Sequence, residues 1–425
     1  MAEKESAINL ALQFAVDQLE KLVDRQLDDA LKQVGQSPDD KRMHVELSKC
    51  GSVQLQFSAN RLNYSIPLEI RLTYDAGLTK LRGNGKVELD FETTYTIDEA
   101  WRLKTLTDLL THRWIEEPIM KLIGLDLPIS AIADYAIKRA EATVERTINK
   151  LADEQLELHT RLQQAWLKLQ EPIVLNHVTR PVILLQAQHL GISQLVEKDR
   201  RLSAQFTLRG QPELHLGKAG VVGQKTPLPG FAFLRETAGL SIISMQSALP
   251  YTHAQHLARH FLLGKTLPVG EGRSLMIEQL DITQRNGRLH LRATTQGSFT
   301  GTIYVSGIPH HDAATDQLML QQLNIDLKTD NLLHKTAAWA LSGWLKKKIQ
   351  SLVNEQFHQA LAQLRQDLEK LLNDMSFLEA FSLRAEIKRL KLTNIELEED
   401  EMQMCIQAEG YLGLLTSGEA KPASN

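Results

Sequence analysis

The stretch Ser130–Gln170, SAIADYAIKRAEATVERTINKLADEQLELHTRLQQAWLKLQ, runs 41 residues without a proline or a glycine. Its apolar residues, Ile132, Tyr135, Ala136, Ala140, Val144, Ile148, Leu151, Leu158, Leu162, Ala165, Trp166 and Leu169, recur mostly in steps of three and four, which predicts one helix with a single apolar stripe. At ~1.5 Å per residue that helix would be roughly 60 Å long, well beyond the usual three or four turns. From Asn331 to Asp374 the pattern returns, with Leu333, Ala337, Ala340, Trp344, Leu352, Phe357, Leu361, Leu364, Leu368 and Leu371. Two rods are therefore expected among segments that otherwise alternate with a period of two.

Working outward, Ile8, Leu10, Leu12 and Phe14 read as a half-buried strand, and from Val16 the period becomes helical through Leu27. An antiparallel meander follows. Ser52 to Thr73 reads as one extended segment bent near Asn60, Gly83-Asn84-Gly85 as an interruption, and Val87 to Ile97 as a strand. Trp101 to His112 reads as a strand and Trp114 to Ile123 as a short helix closed by Gly124. Beyond Pro172, strands resume over Val182 to Leu195 and Leu202 to Leu208. Gly217 to Gly230, with Gly220, Gly223, Pro227 and Pro229, is the best boundary or loop signal in the chain. The order then begins again, with strand Leu240 to Leu249, helix Tyr251 to Leu263 and an Asn286-Gly287 hairpin turn.

The halves align. Leu190, Ile192, Leu195, Leu202, Ala204, Phe206 and Gly210 fall opposite Leu390, Leu392, Ile395, Met402, Met404, Ile406 and Gly410, while Ile8, Leu10 and Phe14 fall opposite Ile243, Met245 and Leu249. The expected fold class is α+β: two pseudo-repeated modules, each a long helix wrapped by a highly curved antiparallel sheet. The expected boundaries are 6–216 and 238–412 for the modules, 217–237 for a linker and 413–425 for a flexible tail.

Composition narrows function. The chain is 43% apolar and 24% charged over 425 residues, enough for a substantial core. Its 48 Lys and Arg against 52 Asp and Glu, with no basic block, argue against a nucleic-acid partner. No apolar run reaches the ~20 residues of a membrane-spanning helix. Met1 to Ser6 carry no signal region, so either the protein is cytoplasmic or an export signal preceded the given sequence. Cys50 and Cys405 are too few for a disulfide framework and leave the compartment open.

His253, His256 and His260 share one helix face at metal-ligand spacing but have no carboxylate or cysteine beside them, so a solvated face is favoured and no metal is expected. His310-His311-Asp312 reads as a turn. Glu396, Glu398, Glu399, Asp400 and Glu401 lie opposite the mixed charges Glu197, Lys198, Asp199, Arg200 and Arg201, which argues for hairpin-tip solvation over a shared cation site. Lys346-Lys347-Lys348 reads as the wet side of a helix, with anionic headgroups as the sharper alternative. Trp166, Trp339 and Trp344 read as core between rod and sheet, with the lining of a lipid groove as the alternative. No Gly-x-Ser-x-Gly elbow, His-Glu-x-x-His or phosphate loop occurs, and neither an enzyme nor a cofactor is expected.

Three motifs carry a resemblance: Ser6-Ala7-Ile8-Asn9-Leu10, Trp114-Ile115-Glu116-Glu117-Pro118, and Ala165-Trp166-Leu167-Lys168-Leu169-Gln170-Glu171-Pro172-Ile173. On these, the chain over about 6 to 410 resembles the tubular lipid-binding superfamily typified by bactericidal permeability-increasing protein, and within it a bacterial family of uncharacterised proteins. The resemblance implies a periplasmic or cell-envelope location, with peripheral membrane contact, and a lipid or other hydrophobic small molecule as partner. The function expected is non-enzymatic binding, sequestration or transport of that molecule; a scaffolding envelope protein with filled modules is the alternative. Lining positions expected from strand parity are Leu10, Leu12, Phe14, Leu55, Phe57, Leu68, Ile70, Leu89, Phe91, Ile243, Met245 and Leu249. Oligomeric state is not legible in the sequence.

Overall fold

Alternating apolar residues put most of this chain into strands. The computed structural model describes residues 6–32, 42–75, 77, 80–122, 125–128, 130–155, 157–175, 181–216, 222–268, 272, 274–329, 332–378 and 381–416. In order, the elements are β1 (Ser6–Ala15), α1 (Val16–Leu31), β2 (Met43–Lys49), β3 (Gln54–Ser58), β4 (Arg61–Asp75), β5 (Lys80–Ile97), β6 (Leu103–Leu122), β7 (Leu125–Pro128) and α2 (Ser130–Lys150). A π-helical turn (Leu151–Gln155) leads to α3 (Leu158–Leu169), β8 (Ile173–Val174), β9 (Val182–Ile192), β10 (Val196–Lys198) and β11 (Arg201–His215). The rest are β12 (Ser241–Pro250), α4 (Tyr251–Leu262), β13 (Thr266–Pro268), β14 (Ser274–Arg285), β15 (Arg288–Gly297), β16 (Gly301–Asp312), β17 (Gln317–Lys328), α5 (Leu332–Asp374), β18 (Ser376–Leu378), β19 (Phe381–Leu397) and β20 (Glu401–Thr416).

These strands make three sheets. Six strands run β2-β4-β5-β6-β7 with β3 also on β4, five run β13-β14-β15-β16-β17, and nine run β18-β19-β20-β1-β12-β11-β9-β8 with β10 on β11. The nine-stranded sheet draws on both halves of the chain. Leu10 faces Phe206 across β1 and β11, and Met245 faces Ile406 across β12 and β20; adding 235 to the first number and 200 to the second converts one pair into the other. The parallel contacts Ala11↔Gly413 and Glu213↔Gln246 obey the same offsets. So do the helix starts: neither α1 nor α4 has a side-chain cap, and the first N–H of each donates instead to a hairpin-tip carbonyl, Val16 N to Arg200 O at 3.0 Å and Tyr251 N to Asp400 O at 3.2 Å. The acidic tip at Glu398 to Glu401 thus has a structural task, docking α4, with Tyr251 Oη also donating to Glu398 O.

The structure corrects the expected fold class. The protein is mostly antiparallel sheet, and among the described residues no pair of modules forms with one long helix wrapped by its own sheet, because the largest sheet is shared and only α5 is a long unbroken helix there. The first rod breaks at the π turn, followed by Glu157 in the left-handed region at φ 38°. The break has a packing cause. Ala136, Ile137, Ala140, Val144 and Ile148 of α2 bury against the core of the six-stranded sheet, whereas Trp166 of α3 packs on Ala187 and Leu208 of the nine-stranded sheet. One straight stripe cannot face both surfaces.

Three local readings also change. The helix expected over Trp114 to Ile123 belongs to β6 through Leu122; extra residues at Leu110 and Ile115, opposite register shifts in β5, disturb its alternation and mimic a helical period. Ser52 to Thr73 is a hairpin of β3 and β4, turning at Ala59 with φ 55°. Gly83-Asn84-Gly85 stays inside β5, where Gly85 lets Pro118 approach. The Asn286-Gly287 turn forms as expected, both residues at positive φ.

The core under α1 and α2 is closed. Tyr64 stacks on Phe91 with centroids 5.5 Å apart, and its hydroxyl meets Thr93 Oγ1 at 3.0 Å, which meets Thr107 Oγ1 at 2.8 Å. Burial pushes the Tyr64 phenol up to about 12. Because the folded value lies above the unfolded one of about 10, this group's contribution is whole below pH ~10 and is lost as pH rises through 12, by up to about 3 kcal/mol. Urea titrations at pH 9 and above 11 are expected to lose less stability in Tyr64→Phe than in the parent.

Candidate functional site

Helix α5 runs unbroken over 43 residues and packs on two sheets. Its first part places Trp344, Leu345 and Ile349 against Leu275 and Ile325 of the five-stranded sheet and Phe299 of the β15–β16 turn; its second part places Phe357, Leu364, Leu368 and Leu371 against Met245, Leu392 and Ile406 of the nine-stranded sheet. Polar side chains hold it to both edges. Gln350 Oε1 accepts Leu320 N at 2.9 Å, Gln350 Nε2 donates to Leu318 O at 2.9 Å, and Asn354 Oδ1 accepts Leu318 N at 3.2 Å. Further along, Glu369 Oε1 accepts Ile387 N at 2.7 Å and Asn373 Oδ1 accepts Ala385 N at 3.1 Å. These bonds occupy strand-edge groups of β17 and β19 that would otherwise be open to another chain.

Pinned to both edges, the helix does not settle onto either face. Among the described residues of α5, Leu345 and Leu368 are its buried apolar side chains, while Leu352, Phe357, Leu361, Leu364 and Leu371 stay half-exposed. The core beneath α1 and α2 has 23 buried and nine half-buried members among the described residues, against eight and 11 around the second part of α5, so the first is sealed and the second is not. From Leu352 to Leu371 the open stripe is roughly 29 Å long. Its members Phe357, Leu364 and Leu371 pack with Ile243 and Met245 of β12, Leu390 and Ile395 of β19, and Met404 of β20, while Leu352 and Leu361 lie on the same stripe outside that cluster. Methionine adapts its shape to irregular occupants.

Two polar atoms interrupt these apolar surroundings. Ser247 Oγ, on a residue 2% exposed, and His311 Nδ1, on a side chain 5% exposed, make no hydrogen bond among the described residues. Leaving such a group unsatisfied costs about 1–3 kcal/mol. Beside the seam, Lys346 and Lys347 line an open cleft of about 490 Å³ with Leu323, Gln350 and Asn354. A second cleft, about 310 Å³, lies between α1 and α2, with Arg139, Arg146 and Lys150 facing Asp29.

The expected lining positions fall into separate places. Leu55, Leu68, Ile70, Leu89 and Phe91 are fully buried in the closed core, with Phe14 and Phe57 half-buried at its margin. Leu10 and Leu12 pack with Leu383 and Leu414. Ile243 and Met245 join the α5 cluster, and Leu249 is half-buried at the outer end of β12. Leu361 and Leu364 were read from the sequence as stripe residues of the second rod and not as lining positions, and Ser247 was not singled out. The signal for the open half was the exchange of Leu202 and Ala204 for Met402 and Met404 at aligned positions.

Other sequence candidates resolve locally. His253 and His256 stack at 6.4 Å, and the His253 imidazole is held below its usual range by burial and then by His256. Among the described residues no group of three His, Cys, Asp or Glu is placed to hold a metal. His310 to Asp312 end β16 rather than forming the turn, which Asp312 pins by accepting from Ala314 N at 2.9 Å and Thr315 Oγ1 at 2.8 Å. Trp166 is core and Trp344 half-buried; the Trp339 side chain lies outside the described residues. Cys50 and Cys405 are free thiols.

No curated protein matches the chain. Among solved structures it is similar to the crystal structure of lipopolysaccharide binding protein, at 10% identity and a TM-score of 0.30, with 97% of this chain and 99% of that chain covered. A likeness at that level transfers neither fold nor ligand. The match that does define a family spans residues 4–415, nearly the whole chain, and the protein belongs to the family described as Domain of unknown function (DUF4403).

Proposed function

We propose that this protein binds and carries a long apolar or amphiphilic molecule, a lipid in chemical class, without catalysing a reaction on it. The observation that carries this reading is the stripe of α5 left half-exposed over a methionine-bearing sheet face, beside a sealed core in the other half of the same chain. A chain laid along Phe357, Leu361 and Leu364 would remove its own surface and theirs from water, at ~0.8 kcal/mol per buried methylene. Few polar groups line the seam, which favours selection by length and shape over headgroup. Lys346 and Lys347 at the neighbouring cleft suit an anionic end.

Titration with a fluorescent fatty acid tests the reading. Saturable uptake is expected, and Leu361→Arg, which puts a charge on the half-exposed stripe at a residue outside the packed cluster, is expected to weaken it at least about tenfold while changing unfolding by less than about 1 kcal/mol. Unaltered uptake in this variant would remove the seam as the site.

One observation favours a second role. Leu106, Leu110, Ile115 and Ile119 are all exposed along β6, an apolar row on one strand that suits a protein contact. It supports the scaffolding alternative if the seam takes up nothing.

A further inference from the structure

We infer that the cleft between α1 and α2 binds a doubly charged phosphate group, held by Arg139 and Arg146. Both helices pack on the sealed core of the six-stranded sheet, so this site is separate from the seam of α5 and independent of the carrier reading. Arg139, Arg146 and Lys150 of α2 line the opening of about 310 Å³ together with Gln26, Asp29 and Ala30 of α1. The helix itself places the cations. Steps of seven and four residues bring them to one side of α2, while Glu141 and Glu145 do not line the cleft. No acidic residue stands three or four positions from either arginine, where a partner on the same helix would have to be.

Both guanidinium groups lack a counter-ion. Among the described residues neither the Arg139 nor the Arg146 side chain forms a salt bridge or a hydrogen bond, and Asp29, the one carboxylate lining the cleft, is paired with neither. The other carboxylates of α1 are engaged elsewhere. Asp24 and Asp28 meet Lys49 at 2.6 and 3.6 Å, and Asp17 and Glu20 meet Arg200 at 3.0 and 2.6 Å. An arginine on an open helix face keeps its charge in water. These two share one recess instead, and Arg139 is only half-exposed, so their fields add in a volume bounded by two helices.

The chemistry of the recess selects the class. A guanidinium fork gives a phosphate two parallel N–H bonds, and a phosphate monoester carries about −1.5 to −2 charge at pH 7, which suits two unpaired arginines. A carboxylate carries one charge and satisfies one fork. The hydroxyls of Thr143 and Thr147 already donate to the carbonyls of Arg139 and Thr143, at 2.8 and 2.7 Å, so the cations supply the donors. A lipid headgroup ending in a phosphate monoester and a soluble phosphate present the same group.

Isothermal titration calorimetry of the full-length protein at low salt, with inorganic phosphate, glycerol 3-phosphate and acetate, tests the site. One phosphate is expected to bind per chain, with acetate at least about tenfold weaker. Arg139→Gln and Arg146→Gln are each expected to weaken phosphate about tenfold. Asp29→Asn removes the carboxylate of the cleft and is expected to tighten phosphate about threefold. Asp29 is exposed and its carboxylate makes no bond among the described residues, so this variant decides even where an arginine variant misfolds. Sedimentation with phosphatidylcholine vesicles, with and without phosphatidic acid, identifies the source. Retention by phosphatidic acid that the arginine variants lose puts the phosphate on a lipid, and binding of free phosphate without retention puts it on a soluble molecule. Absence of both binding and retention, acetate binding as tightly as phosphate, or affinities unchanged in the folded variants overturns the site and leaves the seam untouched.

Discussion

Replacing Trp166 with alanine is expected to destabilise the protein by about 4 kcal/mol. The indole is 1% exposed and fills the space between α3 and the nine-stranded sheet, against Ala187 and Leu208. Its Nε1 donates to Thr226 O at 2.9 Å. Gln170, one turn on, accepts from Thr226 N at 2.7 Å and from Thr226 Oγ1 at 2.9 Å, so two α3 side chains tie down the extended segment before β12. Truncation leaves a cavity and removes one of these ties at once. Trp166→Phe, which keeps most of the volume, is expected to cost about half as much. Urea unfolding measures the loss, and limited proteolysis is expected to cut near Thr226 sooner in the alanine variant. A loss under about 1 kcal/mol would contradict this packing account.

Gly210→Ala and Gly410→Ala are expected to cost about 3 kcal/mol each. Both glycines lie opposite an irregularity in the paired strand, β9 for Gly210 and β19 for Gly410, which pushes a carbonyl against them. A Cβ on Gly210 would collide with Gln186 O, and one on Gly410 with Glu386 O, backbone atoms that cannot swing aside. Gly413 is the control, since its added Cβ would be 3.7 Å from Ala11 O, an ordinary contact, and its alanine variant is expected to lose less than about 1 kcal/mol. Equal losses at Gly410 and Gly413 would show that steric approach is not what requires the glycine. A gain is expected elsewhere: Gly343 lies inside α5 with nothing within 4 Å of an added Cβ, so Gly343→Ala is expected to stabilise by about 0.5–1 kcal/mol in the same assay.

The aligned glycines indicate what was legible in the sequence. Strand identity came through wherever alternation was uninterrupted, as in Leu202 to Leu208, and helix identity wherever a stripe kept its period, as in Val16 to Leu27. Bulges defeated the reading of β6, because an inserted residue shifts every later side chain to the other parity, and Trp114 and Pro118 then fell four apart as on a helix. The break after Lys150 was illegible because it arises from two surfaces that the helix must satisfy, and neither is encoded locally. The same cause hid the candidate site. Parity showed which face of β12 or β4 is apolar, but closure of the core at Leu68 and Phe91 and its openness at Leu361 depend on how far a helix settles between two sheets. Ser247 and His311 could not be distinguished from ordinary polar residues until their lack of hydrogen-bond partners was visible.

On the carrier reading, the seam along α5 holds a long apolar molecule. Native mass spectrometry of protein purified without detergent, followed by organic extraction and lipid analysis, tests it most directly. The expected result is a population heavier than the chain by one lipid mass, with that lipid recovered in the extract and lost from Leu361→Arg. Protein at its bare chain mass that also fails to take up a fluorescent fatty acid would contradict the claim and leave the apolar row of β6 as the functional surface.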